Sequence, residues 1–524
     1  MKKVLIIIIF LSIIHDNVAQ SITITPSGIM PAQYSKFEKL TFEQIQAKTG
    51  MQNGDAIFDN TFNCLRIYNG HDWLRIQQPL NTEGEQTSMS FVCHYADIAA
   101  VATDSQNNVY IGGGFTDSLV LSPTVTLHTL IPNASGIFVA KFSSSGTLLN
   151  YNSPQFSNSF VALTDLILDL SGNVIICGAY IGTVNWGGVT STSSQNDGYD
   201  SFVVKYNNSL AFQWAKAEGG PNTDFALNIA SDASNIYIAG YYYDSFSLNS
   251  GALSVPTNGD SDIYLAKISD AGTAEWLTHV GGVNFDYPND LLLNVNSIYL
   301  TGLFSNSMAV GPDTLISNGD TDFFVGLFDT AGNTVNGLSG GGPGSDEGKV
   351  LLKDSNQNLY MAGNFNDSLT IGTQKSYSNG GQDMFFCRII DNSVSNARIR
   401  STNFYIEDFS TFGSIDPSIN DYINGGIADN NQNIYISGYT GAVISIDGYS
   451  TAIDNGGFLW RRNTQKGTTG LFPIYGDASP CIAKDLLGNI YASNISLTSK
   501  TLGSTYYSVT ANTNLLLLTK LRID

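Results

Sequence analysis

Charge is scarce in this chain. Only 13% of its 524 residues are Asp, Glu, Lys or Arg, about half of the roughly 25% usual in globular domains. What charge there is leans one way: 45 acids against 24 bases, a net of −21. That balance opposes nucleic acid and anionic membrane surfaces as partners. Proline is sparse at 14 residues, which excludes a collagen-like or proline-rich stalk. The five cysteines are far apart and form no CxxC pair. They suit neither a disulfide scaffold nor a zinc or redox site. Five scattered histidines, with no HExxH, GxSxG or GK[ST] phosphate loop, leave catalysis without a recognisable sequence motif. No segment holds a helical period over ten or more residues.

What is present points to a packed β protein. Hydrophobic residues are 42% of the chain, aromatics 11%, and glycines number 52. The N terminus reads as a leader: Lys2 and Lys3, an apolar run from Val4 to Ile14, polar His15 to Asn17, then Ala19 before Gln20. The run is too short for a bilayer span of about 20 residues. Residues 1–19 are therefore a signal peptide, and the expected location is exported: secreted, periplasmic or cell-surface. No later segment is long and apolar enough for membrane insertion.

The decisive feature is internal repetition. Asn108-Val-Tyr-Ile-Gly-Gly113 recurs as Asn173-Val-Ile-Ile-Cys-Gly178, Asn235-Ile-Tyr-Ile-Ala-Gly240, Ser297-Ile-Tyr-Leu-Thr-Gly302, Asn358-Leu-Tyr-Met-Ala-Gly363, Asn433-Ile-Tyr-Ile-Ser-Gly438 and Asn489-Ile-Tyr-Ala-Ser-Asn494. The intervals run from 56 to 75 residues. An Asp precedes most copies, as at Asp104, Asp232 and Asp429. A Phe- or Tyr-rich run follows, such as Phe202-Val-Val-Lys205, then a Gly turn and a further run holding Trp214 or Trp276. β-Branched and aromatic residues cut by Gly, Asn and Asp turns are strand punctuation. Each unit is thus four short strands, A to D, with the recurring glycine ending B. One such sheet cannot bury both faces; seven packed radially can. The anchor glycine is expected to let neighbouring sheets approach closely.

The pattern resembles the SBBP-type seven-bladed β-propeller repeats of bacterial exported proteins. The resemblance covers residues 87–524. It rests on Gly219-Gly-Pro-Asn-Thr-Asp224 through Asp232 to Gly240, and on Gly259-Asp-Ser-Asp-Ile-Tyr-Leu-Ala-Lys267. It implies an all-β fold of four-stranded antiparallel blades. The sixth unit departs most, with Trp460-Arg-Arg462 in its third strand. The chain ends on a third strand, Leu515 to Arg522, so residues 88–94 are expected to complete blade seven and close the ring. Residues 20–86 form a small N-terminal module, a β-hairpin of Ile57–Phe58 and Leu65–Tyr68, similar to a short segment near the start of exported surface and fibre-like proteins. A short helix is expected within residues 40–50.

Candidate ligand-facing residues come from two patterns. Asp97, Asp224, Asp286, Asp346, Asp421 and Asp477 lie 16 or 17 residues before their anchors, at the D–A junctions. Asp200, Asp262, Asp322 and Asp383 come from the B–C loops, which emerge on the same face. Together they predict a rim of carboxylates around the axis. Its functional reading is a cation, calcium with oxygen ligands, or a polar ligand. Its bland reading is that each Asp accepts backbone amides and fixes a loop. No EF-hand spacing accompanies them, so no cofactor is assigned. Trp186 and Tyr241, Tyr242 and Tyr243 do not repeat and are binding candidates. Trp214 and Trp276 repeat at equal offsets and are expected in the core. The expectation is a non-catalytic binding protein that uses a propeller face to recognise a protein or glycan. The alternatives are a carbohydrate-active enzyme with paired, unrepeated acids in the funnel, and a structural component of an extracellular assembly.

Overall fold

The computed structural model describes residues 88–157, 160–193, 198–311, 313–372, 374–391, 404–414, 420–440, 444–446, 449–451, 456–474, 481–496, 500–502, 505–507 and 514–522, and short stretches between 22 and 76. The chain divides into two compact units, Met1–Gln86 and Thr87–Asp524. In the first unit Ala56–Asp59, Cys64–Tyr68 and Trp73–Ile76 form an antiparallel run, with Ile57 opposite Arg66. Lys39–Leu40 joins it in parallel. Leu40 is thus strand, and the described helical residues here are Gln44 and Ile45 alone.

The second unit is a succession of four-stranded antiparallel sheets. The second sheet shows the plan: Val161–Leu168, Val174–Tyr180, Asp200–Tyr206 and Phe212–Glu218, paired in that order. The third runs Asp224–Ser231, Asn235–Leu248, Leu253–Ser269 and Ala274–Gly282. The fourth begins at Asp286–Asn294, the fifth at Glu347–Lys353 and the sixth at Tyr422–Ala428. The first starts at Ala100–Thr103. The strands Ile482–Lys484, Asn489–Ser496 and Asn514–Arg522 pair in sequence, and Asn514–Arg522 takes Ser88–Ala96 on its other side, with Leu516 opposite Phe91.

Each repeated residue type has a local task. In the A–B turn, Asp104 accepts the amides of Gln106 and Asn108 at 2.9 Å, the Asn108 side-chain amide at 2.8 Å and the Tyr110 phenol at 3.3 Å. The same clasp ties Asp354 to Asn358 and Tyr360, and Asp485 to Asn489 and Tyr491. That is why Asp, Asn and Tyr recur together. The anchor glycine answers a different need from the one expected. A Cβ at Gly240 would stand 1.8 Å from the Phe225 carbonyl oxygen of its own sheet and 2.7 Å from the Tyr264 ring. Gly178, Gly302 and Gly363 meet strand A carbonyls in the same way. The register shifts just beyond each glycine, as between Ala226 and Asn228. The bulge turns a carbonyl against the glycine, so the close approach lies within the sheet.

Sheets are held together by apolar layers shared between consecutive members. Ile175 and Val203 of the second pack with Ile236 and Ile238 of the third. Tyr237 and Ile263 then pack with Ile298 and Phe324. Comparable clusters join first to second, fourth to fifth and fifth to sixth. Tyr435 and Leu459 pack with Ile490, and Phe91, Tyr491 and Leu518 pack with Val109 and Phe138. Middle strands are buried on both faces, which explains their unbroken apolar runs. Trp214 and Trp276, expected in the core, are only partly buried clamps between sheets. The Trp214 indole N–H donates to the Asp270 carbonyl at 3.0 Å and the ring covers Gly272; Trp276 reaches Thr330 at 3.2 Å and covers Gly332. Cys177 and Cys387 are buried thiols, and burial pushes both upward in pKa.

Candidate functional site

The expected carboxylate rim is not a surface feature. Asp224, Asp286, Asp346 and Asp421 are all fully buried. Each of the first three turns inward to accept the amide four residues earlier: Gly220 at 2.5 Å, Gly282 at 2.7 Å and Gly342 at 2.6 Å. Asp97 accepts from Gly114 at 2.8 Å and is only partly exposed. The B–C acids Asp262 and Asp322 repeat the clasp, accepting Asn258 at 2.6 Å and Asn318 at 3.1 Å. These acids close loops, because a short loop entering a sheet leaves amides that no strand can satisfy. Asp477 lies outside the described residues. Among the described residues no group of three or more His, Cys, Asp or Glu is arranged to hold a metal ion.

Two of the aromatic candidates are also interior. Trp186 is fully buried against Phe156, Tyr180 and Phe202, and its indole N–H donates to Ser191 Oγ at 3.1 Å. Tyr242 is buried over Tyr264 and donates to the Pro256 carbonyl at 2.9 Å.

Tyr241 and Tyr243 are different, for they belong to a continuous row of rings. Phe160 meets Tyr199 at 5.4 Å between centroids, and Tyr199 meets Phe225 at 5.4 Å. Phe225 stacks on Tyr241 at 5.3 Å and 5°, the two being directly opposed across strands A and B. Tyr241 then touches Tyr287 at 5.0 Å and Tyr243 at 6.0 Å, and Tyr287 stacks on Phe285 at 6.0 Å. The row crosses the second, third and fourth sheets. Phe160 is 45% exposed and Phe285 36%, with the rings between them half-buried.

The backbone under this row repeats while the side chains do not. The Asp224 amide donates to the Tyr199 carbonyl at 2.6 Å; Asp346 and Asp421 do the same to Thr321 and Gln382. Where the third sheet carries Phe225 opposite Tyr241, the fifth carries Glu347 opposite Asn364, joined at 2.9 Å. Glu347 also receives Lys349 and Asn289, each at 3.3 Å, and its charge is felt by the Tyr287 phenol. The row therefore ends on a hydrogen-bonding cluster that contains an anion.

Four phenols in this row, on Tyr199, Tyr241, Tyr243 and Tyr287, make no hydrogen bond among the described residues. The interior phenols of Tyr237 and Tyr435, by contrast, are tied to Asp232 and Asp429. Burial, with neighbouring phenols and Asp224 adding to it, pushes the Tyr241 hydroxyl upward, so it stays a donor. The contacts include stacked pairs, Phe225–Tyr241 and Phe285–Tyr287, and edge-to-face pairs, Phe160–Tyr199 and Tyr241–Tyr243.

Two acids stand at the equivalent bulge of two first strands, Asp165 opposite Cys177 in the second sheet and Asp290 opposite Thr301 in the fourth. Asp165 accepts Leu166 and Ile229 amides at 2.7 and 2.9 Å; Asp290 accepts Leu291 and Leu351 at 2.8 and 2.7 Å. Burial pushes them up to about 6 and about 7. Every oxygen is engaged by a backbone amide, one of them from the next sheet. These acids clip sheets together, and the Asp165 charge adds to the rise at Asp290.

No family model matches the chain. It is 24% identical over 274 residues to an uncharacterised WD repeat-containing protein of Acanthamoeba polyphaga mimivirus, a match covering 42% of this chain and 19% of that protein. The chain thus spans about a fifth of its curated relative. Similar solved structures include the Swd1 β-propeller domain of Myceliophteria thermophila (8% identity, TM-score 0.36, 73% of this chain and 99% of that one). A catalytically inactive virginiamycin B lyase of Staphylococcus aureus is 11% identical with a TM-score of 0.35, covering 83% and 99%. An ulvan lyase of polysaccharide lyase family 25 is 9% identical with a TM-score of 0.37, covering 81% and 95%. The described residues of this chain form a succession of repeated four-stranded antiparallel sheets.

Proposed function

We propose that the chain is an exported, non-catalytic binding protein that grips a basic segment of another protein through the row from Phe160 to Tyr287. The observation that carries this is the set of four phenols with no internal partner, held on rings that stack on each other. Rigid amphipathic tyrosines lose little entropy on contact and are enriched at protein interfaces. Glu347 at the end of the row, exposed Asp244 beside Tyr243, and the net charge of −21 favour a basic partner. The charged and apolar leader at residues 1–14 supports export.

The architecture proposed beneath this face is a seven-bladed propeller closed by Ser88–Ala96. Its support is the shared apolar layers. The first strands also touch in order, and Ile482–Lys484 lies against Ala100–Thr103.

The test is a combined protein and glycan array probed with the chain lacking residues 1–19, and with its Tyr241→Ala/Tyr287→Ala variant. Protein spots lost in the variant are expected. Glycan spots lost instead would replace the protein reading. Binding unchanged in the variant would remove the row as the site.

A further inference from the structure

The B–C acid of one sheet and the first acid of the next come together around a glycine. Asp262 belongs to the third strand of the third sheet, and Asp286 opens the fourth sheet. Both are fully buried and both touch the Gly281–Gly282 backbone. Asp286 Oδ2 accepts the Gly282 amide at 2.7 Å. Asp262 Oδ2 accepts the Asn258 amide at 2.6 Å and lies 3.0 Å from His279 Nε2. The remaining oxygen on each carboxyl, Oδ1, is buried without a donor. Two such acceptors side by side are costly. A single proton converts one of them into a donor for the other. A Cβ on Gly281 would stand 2.1 Å from Asp262 Oδ1, so that oxygen sits over the glycine, with no space there for a hydrated cation.

We infer that Asp262 and Asp286 share one proton, and that this carboxyl–carboxylate bond latches the third sheet to the fourth and is released at alkaline pH. The proton is held by Asp286 and directed at Asp262, whose other oxygen already has donors. The groups facing the pair are His279 from the fourth strand and Tyr242 from the second. The Tyr242 phenol is committed to Pro256 and feels the Asp262 charge. The strand Ser307–Val310, which pairs with Gly281 and Gly282, carries no charge, and Asp313 of its hairpin partner accepts the Gly337 amide. Burial pushes Asp286 up to about 8, with the Asp262 charge adding to the rise against the Gly282 and Ser305 amides.

The sign follows from linkage. The folded value lies above the ordinary carboxyl value of about 3.9. The stabilisation is complete below pH 4 and is lost as pH rises through about 8. Between these limits folding takes up a proton. The Asp200 and Asp224 carboxyls flank Gly219 in the same way, and Asp224 Oδ1 also lacks a donor. Asp322 and Asp346 differ: Ser317, Asn318, Gly342 and Asn366 supply donors to all their oxygens, and no shared proton is needed.

The experiment compares the full chain with Asp286→Asn and Asp262→Asn by thermal melting from pH about 5 to about 9.5, with EDTA and separately with Ca²⁺. Infrared difference spectra follow the C=O stretch of protonated carboxyl groups. The wild type is expected to lose melting temperature as pH rises through about 8. Asp286→Asn, whose amide donates at every pH, should take up about one proton fewer on folding at pH 7 and lose one protonated-carboxyl signal. If Asp286→Asn does not fold, Asp262→Asn supplies the donor from the other side and must flatten the same slope. An unchanged slope and an unchanged infrared signal in the variants overturn the inference. So does Ca²⁺ raising the melting temperature of the wild type but not of Asp286→Asn, since the pair would then hold a cation.

Discussion

Gly240→Ala tests the reason for the repeat most directly. A methyl group there would meet the Phe225 carbonyl oxygen at 1.8 Å, against a practical minimum of 3.0 Å, and the Tyr264 ring at 2.7 Å. Strand A must therefore retreat by about 1.2 Å at its bulge. Retreat weakens one or two ladder hydrogen bonds, at about 1 kcal/mol each. It also forces Tyr264, packed on Phe246 at 3.9 Å, out of position, an overpacking cost of about 1–3 kcal/mol. The total is about 2–5 kcal/mol, a large part of the roughly 5–15 kcal/mol that typical domains possess. Urea unfolding followed by tryptophan fluorescence measures it, since Trp214 and Trp276 clamp the sheets on either side. Gly251→Asn is the control. Nothing lies within 4 Å of its Cβ, so only its φ of +88° resists a side chain, and the change should cost about 1 kcal/mol. A loss below about 1 kcal/mol for Gly240→Ala would refute the argument that carbonyl contact dictates the glycine.

Other outcomes follow from the same geometry. Tyr237→Phe removes a phenol 3.0 Å from Asp232 Oδ2 and should cost about 1 kcal/mol in denaturant unfolding. Trp276→Phe loses the indole bond to Thr330 and cover over Gly332, and should cost about 2 kcal/mol. Asp165 and Asp290 are held at about 6 and about 7, above their ordinary value. Their contribution is complete below pH about 4 and is lost as pH rises through those values. Asp290→Asn should flatten the melting-temperature profile between pH 5 and 8, at the cost of one amide contact.

The sheets were legible because each copy of the repeat must solve the same local problems. Asp104, Asn108 and Tyr110 reveal a turn clasp even before its geometry is known, and Trp214 and Trp276 announce equivalent places. The second strand is buried on both faces, so its apolar run gives no alternation to misread. The site was less legible. Tyr241 and Tyr243 stood out because they do not repeat, but Phe160, Tyr199, Phe225 and Tyr287 come from other sheets, and only packing aligns them. The regular spacing of Asp224, Asp286 and Asp346 looks like a ring of ligands. The amide four residues earlier decides otherwise by drawing each carboxylate inward. Trp186 misleads in the opposite direction: an unrepeated loop aromatic there fills the space beneath its own hairpin.

The pairing of Ser88–Ala96 with Asn514–Arg522 has a consequence for synthesis. An early strand, paired with Val109–Ser122 on one side, must wait until more than 400 further residues have been made before its second partner exists. At about 5–20 residues per second, that delay is roughly 20–80 s. Throughout it, the strand is paired on its other side alone, with Cys93 opposite Leu119, and the edge that Asn514–Arg522 will cover stays open, a sticky edge that a holding chaperone would be expected to shield.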